Sequence, residues 1–339
     1  MGTPEFAVPC LQALLDGPDQ VVAVVAQPDR PAGRGNKLQS PPTIQLARQH
    51  GIPTLQAEKV RNAAFREALA SFQPDLMVVV AYGRILTEAV LKLAPHGCIN
   101  VHASLLPKYR GAAPIQWSVL RGESVTGVTT MQMDVGLDTG DMLLTRQIPI
   151  MPEMTAGDLH DALAPVGAAL LQETIEGLKA GNIQPEPQDH AEHTLAPILK
   201  KEDGRIDWRR PALGLSWHVR GMSPWPGAYT FLNGRRLQVL EGEPLAMQVS
   251  APPGTVLKSD VLGLLVATGD GAYRIRQVKP ENARAMAAGA WLNGHPVPVG
   301  TRLDEEALTE QAQPATDTTS DDVTPSEGTT DASGQGTQA

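Results

Sequence analysis

Cysteine is nearly absent from this chain: Cys10 and Cys98 are the only two, and no CxxC pair occurs. That excludes a disulfide scaffold and a cysteine-based zinc site, and it fits a reducing cytoplasm. No apolar run reaches the roughly 18 residues that a membrane-spanning helix needs. The N-terminus lacks the charged-then-apolar layout of a secretory signal. No GxGxxG follows any strand-like segment, which disfavours a dinucleotide-binding enzyme. Metal-ligand spacing is missing as well. His190 and His193 resemble a metal pair only superficially and read as part of a solvated linker. From about residue 311 large apolar residues all but disappear. Residues 311–339 cannot bury a core and are expected to form a disordered acidic tail.

What remains is long enough for two domains, each with its own core. Net charge is −9 over 339 residues, and it is unevenly spread. Residues 1–195 carry 14 Lys/Arg against 20 Asp/Glu, residues 196–303 carry 14 against 8, and residues 304–339 carry none against 9. A basic segment inside an acidic protein suits a nucleic-acid backbone, although an excess of this size is unremarkable by itself. Strand-like runs at 21–29, 75–83, 98–106, 127–134 and 141–150, with a weaker one at 52–56, alternate with helix-like pieces at 62–72 and 87–94. The pattern predicts an α/β domain over 1–182, a doubly wound, Rossmann-like, mostly parallel sheet. A helix over 155–181 closes it, with Pro165 expected to kink or split it. Residues 183–199 read as a linker. Residues 200–305 show short strands separated by glycine turns, the pattern of a small OB-like β-barrel.

Two segments carry chemistry, GCINVHASLLPKYRGAAPI at 97–115 and MDVGLDTGDML at 133–143. Along a strand side chains alternate faces, so Asn100 and His102 point the same way. Polar groups at the carboxyl end of an apolar strand sit where open α/β sheets bind ligands. Gly136 and Gly140 allow the tight turn that brings Asp138 near them. An amide, an imidazole and a carboxylate with no cysteine nucleophile suit direct acyl or formyl transfer to an amine. A hydrogen-bonded core histidine is the blander alternative for His102 alone.

These segments, with QPDRPAGRGNKL at 27–38 and VVVAYGRIL at 78–86, resemble the folate-dependent formyltransferase family, and within it the methionyl-tRNA formyltransferases. RIDW at 205–208 and SPWPGAY at 223–229 extend the likeness to about residue 305. The resemblance implies transfer of formyl from 10-formyltetrahydrofolate to methionine on initiator methionyl-tRNA, with no metal. It implies Asn100, His102 and Asp138 as catalytic residues and Ser104, Leu105, Leu106 and Pro107 as the folate-binding turn. It also implies Arg34 as a tRNA contact, a second domain that holds tRNA, and a monomer. Val78–Gly83 is a further candidate wall for the pteridine, and Arg110 for an anionic group; plain core and a solvated loop are the alternatives.

The family pattern has a strand before the GTP-[DE]-FA turn, whereas this sequence opens on MGTPEFAVP. That first, interior strand is expected to be missing, leaving its neighbours' backbone groups unpaired, and the true protein is expected to start upstream. Formyltransferases acting on nucleotide sugars or purine precursors share the trio. The basic loop at 30–37 and the basic second domain favour tRNA. A noncatalytic tRNA-binding protein is the reading from another class, and the intact trio argues against it.

Overall fold

A computed structural model describes residues 1–32, 35 and 37–304. Arg34 and the expected acidic tail at 311–339 lie outside the described residues. A helical turn, Glu5–Ala7, runs into α1 (Val8–Asp16) and then β1 (Val24–Ala26). A small hairpin, β2 (Arg30–Ala32) and β3 (Lys37–Gln39), precedes α2 (Pro42–Gln49), β4 (Thr54–Gln56) and α3 (Ala63–Ala70). Next come β5 (Met77–Val79), α4 (Glu88–Leu91), β6 (Cys98–His102) and α5 (Pro114–Leu120). The hairpin of β7 (Val125–Gln132) and β8 (Met142–Pro149) leads to α6 (Ala156–Ala180).

β1 pairs with β4 and β5 with β6, both parallel. β7 runs antiparallel to β6, and β8 antiparallel to β7. The connection between β7 and β8, residues 133–141, is too short for the crossover that a parallel pair needs. Residues alternate between two cores. Val80, Val101 and Val128 pack with α1 and α6 on one face, while Met77, Val79 and Cys98 pack with α3 and α4 on the other. This makes a helix–sheet–helix sandwich.

α6 matches its predicted span, but Pro165 does not split it. Thr155 and Asp158 form a capping box at its start, and Gly181, at φ +67°, ends it in the left-handed conformation. The carbonyl that Pro165 leaves without a helical donor belongs to Asp161, whose side chain is 84% exposed, so water can serve it.

β1 and β5 do not pair with each other. Gly2 lies between them, donating its N–H to the Val25 carbonyl (2.9 Å) and bridging Val80, while Val80 N–H reaches the Met1 carbonyl (2.9 Å). Beyond Met1 the sheet opens into a cleft of about 780 Å³, walled by residues 21–25 and 75–78, with α1 and α6 on one side and α3 on the other. The Met1 amine, bonded to the Val78 carbonyl (2.5 Å), sits at its mouth.

The C-terminal elements are α7 (Ala212–Gly221), β9 (Tyr229–Leu232), β10 (Arg235–Leu245), β11 (Val256–Asp260), β12 (Gly263–Ala267), β13 (Ala272–Pro280), β14 (Met286–Ala287) and α8 (Ala288–Leu292). Their strands form one antiparallel sheet ordered β11-β12-β13-β10-β9, with β14 on β13. β9 and β11 are its two ends, so the sheet curls into a half-barrel rather than a closed barrel. Trp208, from the RIDW segment, is buried in this core and donates its indole N–H to Thr230 Oγ1 (3.0 Å). Among the described residues no helix is long and apolar enough to cross a membrane.

Candidate active site

β6 is buried along its whole length, so any polar group on it must find a partner. Asn100 (8% exposed) and His102 (5%) project from the same face as Cys98. His102 Nε2 lies 2.9 Å from the Tyr109 carbonyl. A carbonyl oxygen only accepts, so Nε2 carries a proton and Nδ1 is the nitrogen available for exchange. Nδ1 faces Asp138 Oδ2 at 3.8 Å, close enough to stabilise an imidazolium but too long for a hydrogen bond.

Asp138 arrives from the loop between β7 and β8. Its backbone lies in the left-handed region (φ +52°), unusual for a residue with a Cβ. Asp134 braces the near side of this loop, accepting from Gly136 N–H (3.0 Å) and Thr139 Oγ1 (2.7 Å). Asp138 Oδ2 accepts the Gly111 N–H (2.8 Å), and Oδ1 lies 3.5 Å from Asn100 Nδ2. The amide, the imidazole and the carboxylate therefore meet. Asn100 keeps a second amide hydrogen, and the face can place a donor and a proton acceptor beside one reacting carbonyl. Cys98, on the same strand, is no rival nucleophile, because burial pushes its thiol up to about 12.

The SLLP turn follows directly. Fully buried Ser104 donates its hydroxyl to the Lys108 carbonyl (2.7 Å), which closes the turn. Thr129 of β7 ties the turn to the sheet, donating to the Ser104 carbonyl (2.7 Å) and accepting from Leu106 N–H (3.2 Å). Leu106 is buried, and Leu105 and Pro107 are half-buried. Leu105 rests against Gly127 and lines a small pocket of about 320 Å³ with Tyr109 and Glu123. Tyr109 donates to Glu123 (2.5 Å), and burial pushes its phenol well above its ordinary value, so it remains a donor. Val79, Val80 and Tyr82, from the other candidate wall, are core residues.

Arg110 is not a solvated loop residue: it is 4% exposed and donates to Gln188 Oε1 through Nε (3.0 Å) and Nη2 (2.7 Å). Nη2 also reaches His190 Nδ1 (3.2 Å), which places His190 beside a cation. The segment 183–199 is docked onto the site by bridges from Glu186 to Met142 and from Leu195 to Arg110. Sequence reading passed over Gln188, Thr129 and Gly111. Only Gly111, inside the RGAAP turn, carried a local signal.

Residues 1–175 match the family model described as formyl transferase, and residues 198–296 match the formyl transferase C-terminal domain. The methionyl-tRNA formyltransferase of Desulfotalea psychrophila is 55% identical, covering 89% of this chain and 94% of its own. That of Trichlorobacter lovleyi is 50% identical over 91% and 97%. Among solved structures, the N-formyltransferase from Helicobacter canadensis, in complex with folinic acid and dTDP-3-aminofucose, superposes with a TM-score of 0.61. It is 17% identical over 84% of this chain and 97% of that one, a likeness of fold. Both halves of the family match in order and close relatives align along nearly their whole length, so the chain belongs to the formyl transferase family.

Proposed function

We propose that this protein transfers the formyl group of 10-formyltetrahydrofolate to the α-amine of methionine on initiator methionyl-tRNA. The observation that carries the reading is the meeting of Asn100 and His102, on one buried strand face, with Asp138 of the facing loop, in a chain 55% identical to a methionyl-tRNA formyltransferase. The folate supplies an activated formyl carbon. As the amine attacks it, a C–N bond forms, the bond to the folate nitrogen breaks, and the formyl oxygen gains negative charge. Asn100 offers its free amide N–H to that oxygen. His102 takes the proton shed by the amine at Nδ1 and hands it to the departing nitrogen. Asp138 stabilises the imidazolium in between. Exposed Val135 and Leu137, on the loop that carries Asp138, offer apolar surface to a planar ring. Ser104–Pro107 form the turn at the folate side, with Ser104 and Leu106 shaping it from within.

Residues 1–182 carry the chemistry and 200–305 hold the tRNA. Arg235 and Arg236 are exposed at the β9–β10 turn, and Arg236 is stacked over Tyr229 at 3.9 Å. Arg34, in the basic loop at 30–37, is the contact proposed for the acceptor end of the tRNA. A nucleotide-sugar acceptor is the second reading, favoured by the fold of the Helicobacter enzyme. One assay separates the two: formyl transfer to charged initiator tRNA, charged elongator tRNA and a dTDP-amino sugar in parallel. Product on the initiator alone is expected. Product on the sugar alone would overturn the reading.

A further inference from the structure

Gln188 lies in the segment that reads as a linker, yet it is 4% exposed and nearly all of its polar capacity is spent around Asp138. Its amide nitrogen donates to the Asp138 carbonyl (2.9 Å) and to the Gly140 carbonyl (2.7 Å). Its amide oxygen accepts two hydrogen bonds from Arg110. The next residue, Gly111, holds the carboxylate of Asp138 through its N–H. Asp138 is thus gripped at both ends by one unit: Gly111 at the side chain and Gln188 at the backbone, with Arg110 joining the two. The grip is needed. A non-glycine residue at φ +52° sits in a sparsely populated well and persists only where its surroundings hold it there.

The segment bearing Gln188 is itself anchored on both sides. Glu186 exchanges backbone hydrogen bonds with Met142 (2.8 Å each way). Arg110 N–H donates to the Thr194 carbonyl (2.9 Å) and Ala196 N–H to the Arg110 carbonyl (2.7 Å). We propose that Gln188 is a positioning residue for formyl transfer, acting through Asp138 by fixing the loop that presents its carboxylate to His102 and Asn100. The inference rests on the catalytic reading of that trio.

The test uses the full chain and four variants: Gln188→Ala, Gln188→Glu, Asp138→Asn and the Gln188→Glu/Asp138→Asn pair. Gln188→Glu keeps an acceptor for the buried Arg110 guanidinium and pairs it with a charge, while an oxygen that cannot donate replaces the amide nitrogen facing the Asp138 and Gly140 carbonyls. It guards against an Ala variant that fails to fold for want of an Arg110 partner. Melting temperature and circular dichroism check folding, and steady-state formyl transfer gives kcat and both KM values. A misplacement of about 1 Å costs up to about 100-fold in rate. Both Gln188 variants should therefore lose about 10- to 100-fold in kcat with KM for folate and tRNA little changed. The paired variant should be no slower than Asp138→Asn alone, because the two residues act through one carboxylate. A folded Gln188→Glu at wild-type kcat, or losses that multiply in the pair, would overturn the inference while leaving the trio in place. Asp138→Asn at wild-type rate would instead overturn the catalytic reading beneath it.

Discussion

His102 owes its usable nitrogen to a backbone carbonyl. Because the Tyr109 carbonyl accepts a hydrogen bond from Nε2–H, the exchangeable site is fixed at Nδ1, toward Asp138, before any ligand arrives. Asn100 is the complementary donor, and removing a donor aimed at a developing oxyanion costs about 100- to 1000-fold in kcat. Asn100→Ala is expected to fall in that range with little change in thermal stability, as read by single-turnover formyl transfer. Gly111 is constrained differently. It sits at φ +120°, and a Cβ there would lie 2.8 Å from the Ala196 carbonyl oxygen. Gly111→Ala must shift either the turn or the docked linker, a backbone strain of about 1–3 kcal/mol. Urea denaturation should show that loss, and formyl transfer should fall with it, because Gly111 N–H holds Asp138.

Most strands in the catalytic half were legible because buried strands are short runs of β-branched residues bounded by turn formers; each predicted run contains an observed one except 127–134, which overlaps Val125–Gln132. The β2–β3 hairpin, α1, α2 and α5 were not. α5 is seven residues between a proline and a glycine-containing turn, too short for a helical period to stand out, and its place is set by α7. In α7 itself, His218 is buried and hydrogen-bonded as a neutral ring: Nε2 lies 3.3 Å from the Gly204 carbonyl, and Arg210 donates to Nδ1 (3.3 Å). Burial lowers its pKa from 6.5 to about 4. Between these values the unfolded chain takes up a proton that the fold refuses. Stability from this group is therefore full above the unfolded value and is lost as pH falls toward the folded one. The loss is on the order of 3 kcal/mol. Chemical denaturation at pH 7, 5.5 and 4.5 should show a decline that His218→Gln flattens.

At the scale of the whole molecule, the two halves share material. Ala113 and Leu120, at the ends of α5, belong to the same hydrophobic cluster as Trp208, Leu215 and Tyr273 of the C-terminal half. The segment between the halves carries Gln188, which holds the loop of Asp138. A fragment ending at residue 182 would thus expose part of a core and lose its clamp. It should aggregate on expression or melt well below the full chain, and turn over no substrate when soluble; gel filtration and the transfer assay check both. That Asn100, His102 and Asp138 converge was legible because strand alternation and a glycine-bounded loop leave signatures in sequence, while their expected role came from the family resemblance. The clamp was not, since a glutamine among prolines looks the same whether it faces water or a buried arginine.

The docked segment 183–199 bears on how the two halves stay joined. Glu186 and Ala196 are tied by backbone hydrogen bonds to Met142 and Arg110, and buried Gln188 is tied between them. A protease must draw several residues of loosened chain into its cleft, and a segment held at both ends and in the middle does not yield them. The bonds that shape the loop of Asp138 therefore also shield the connection between the halves from being cut.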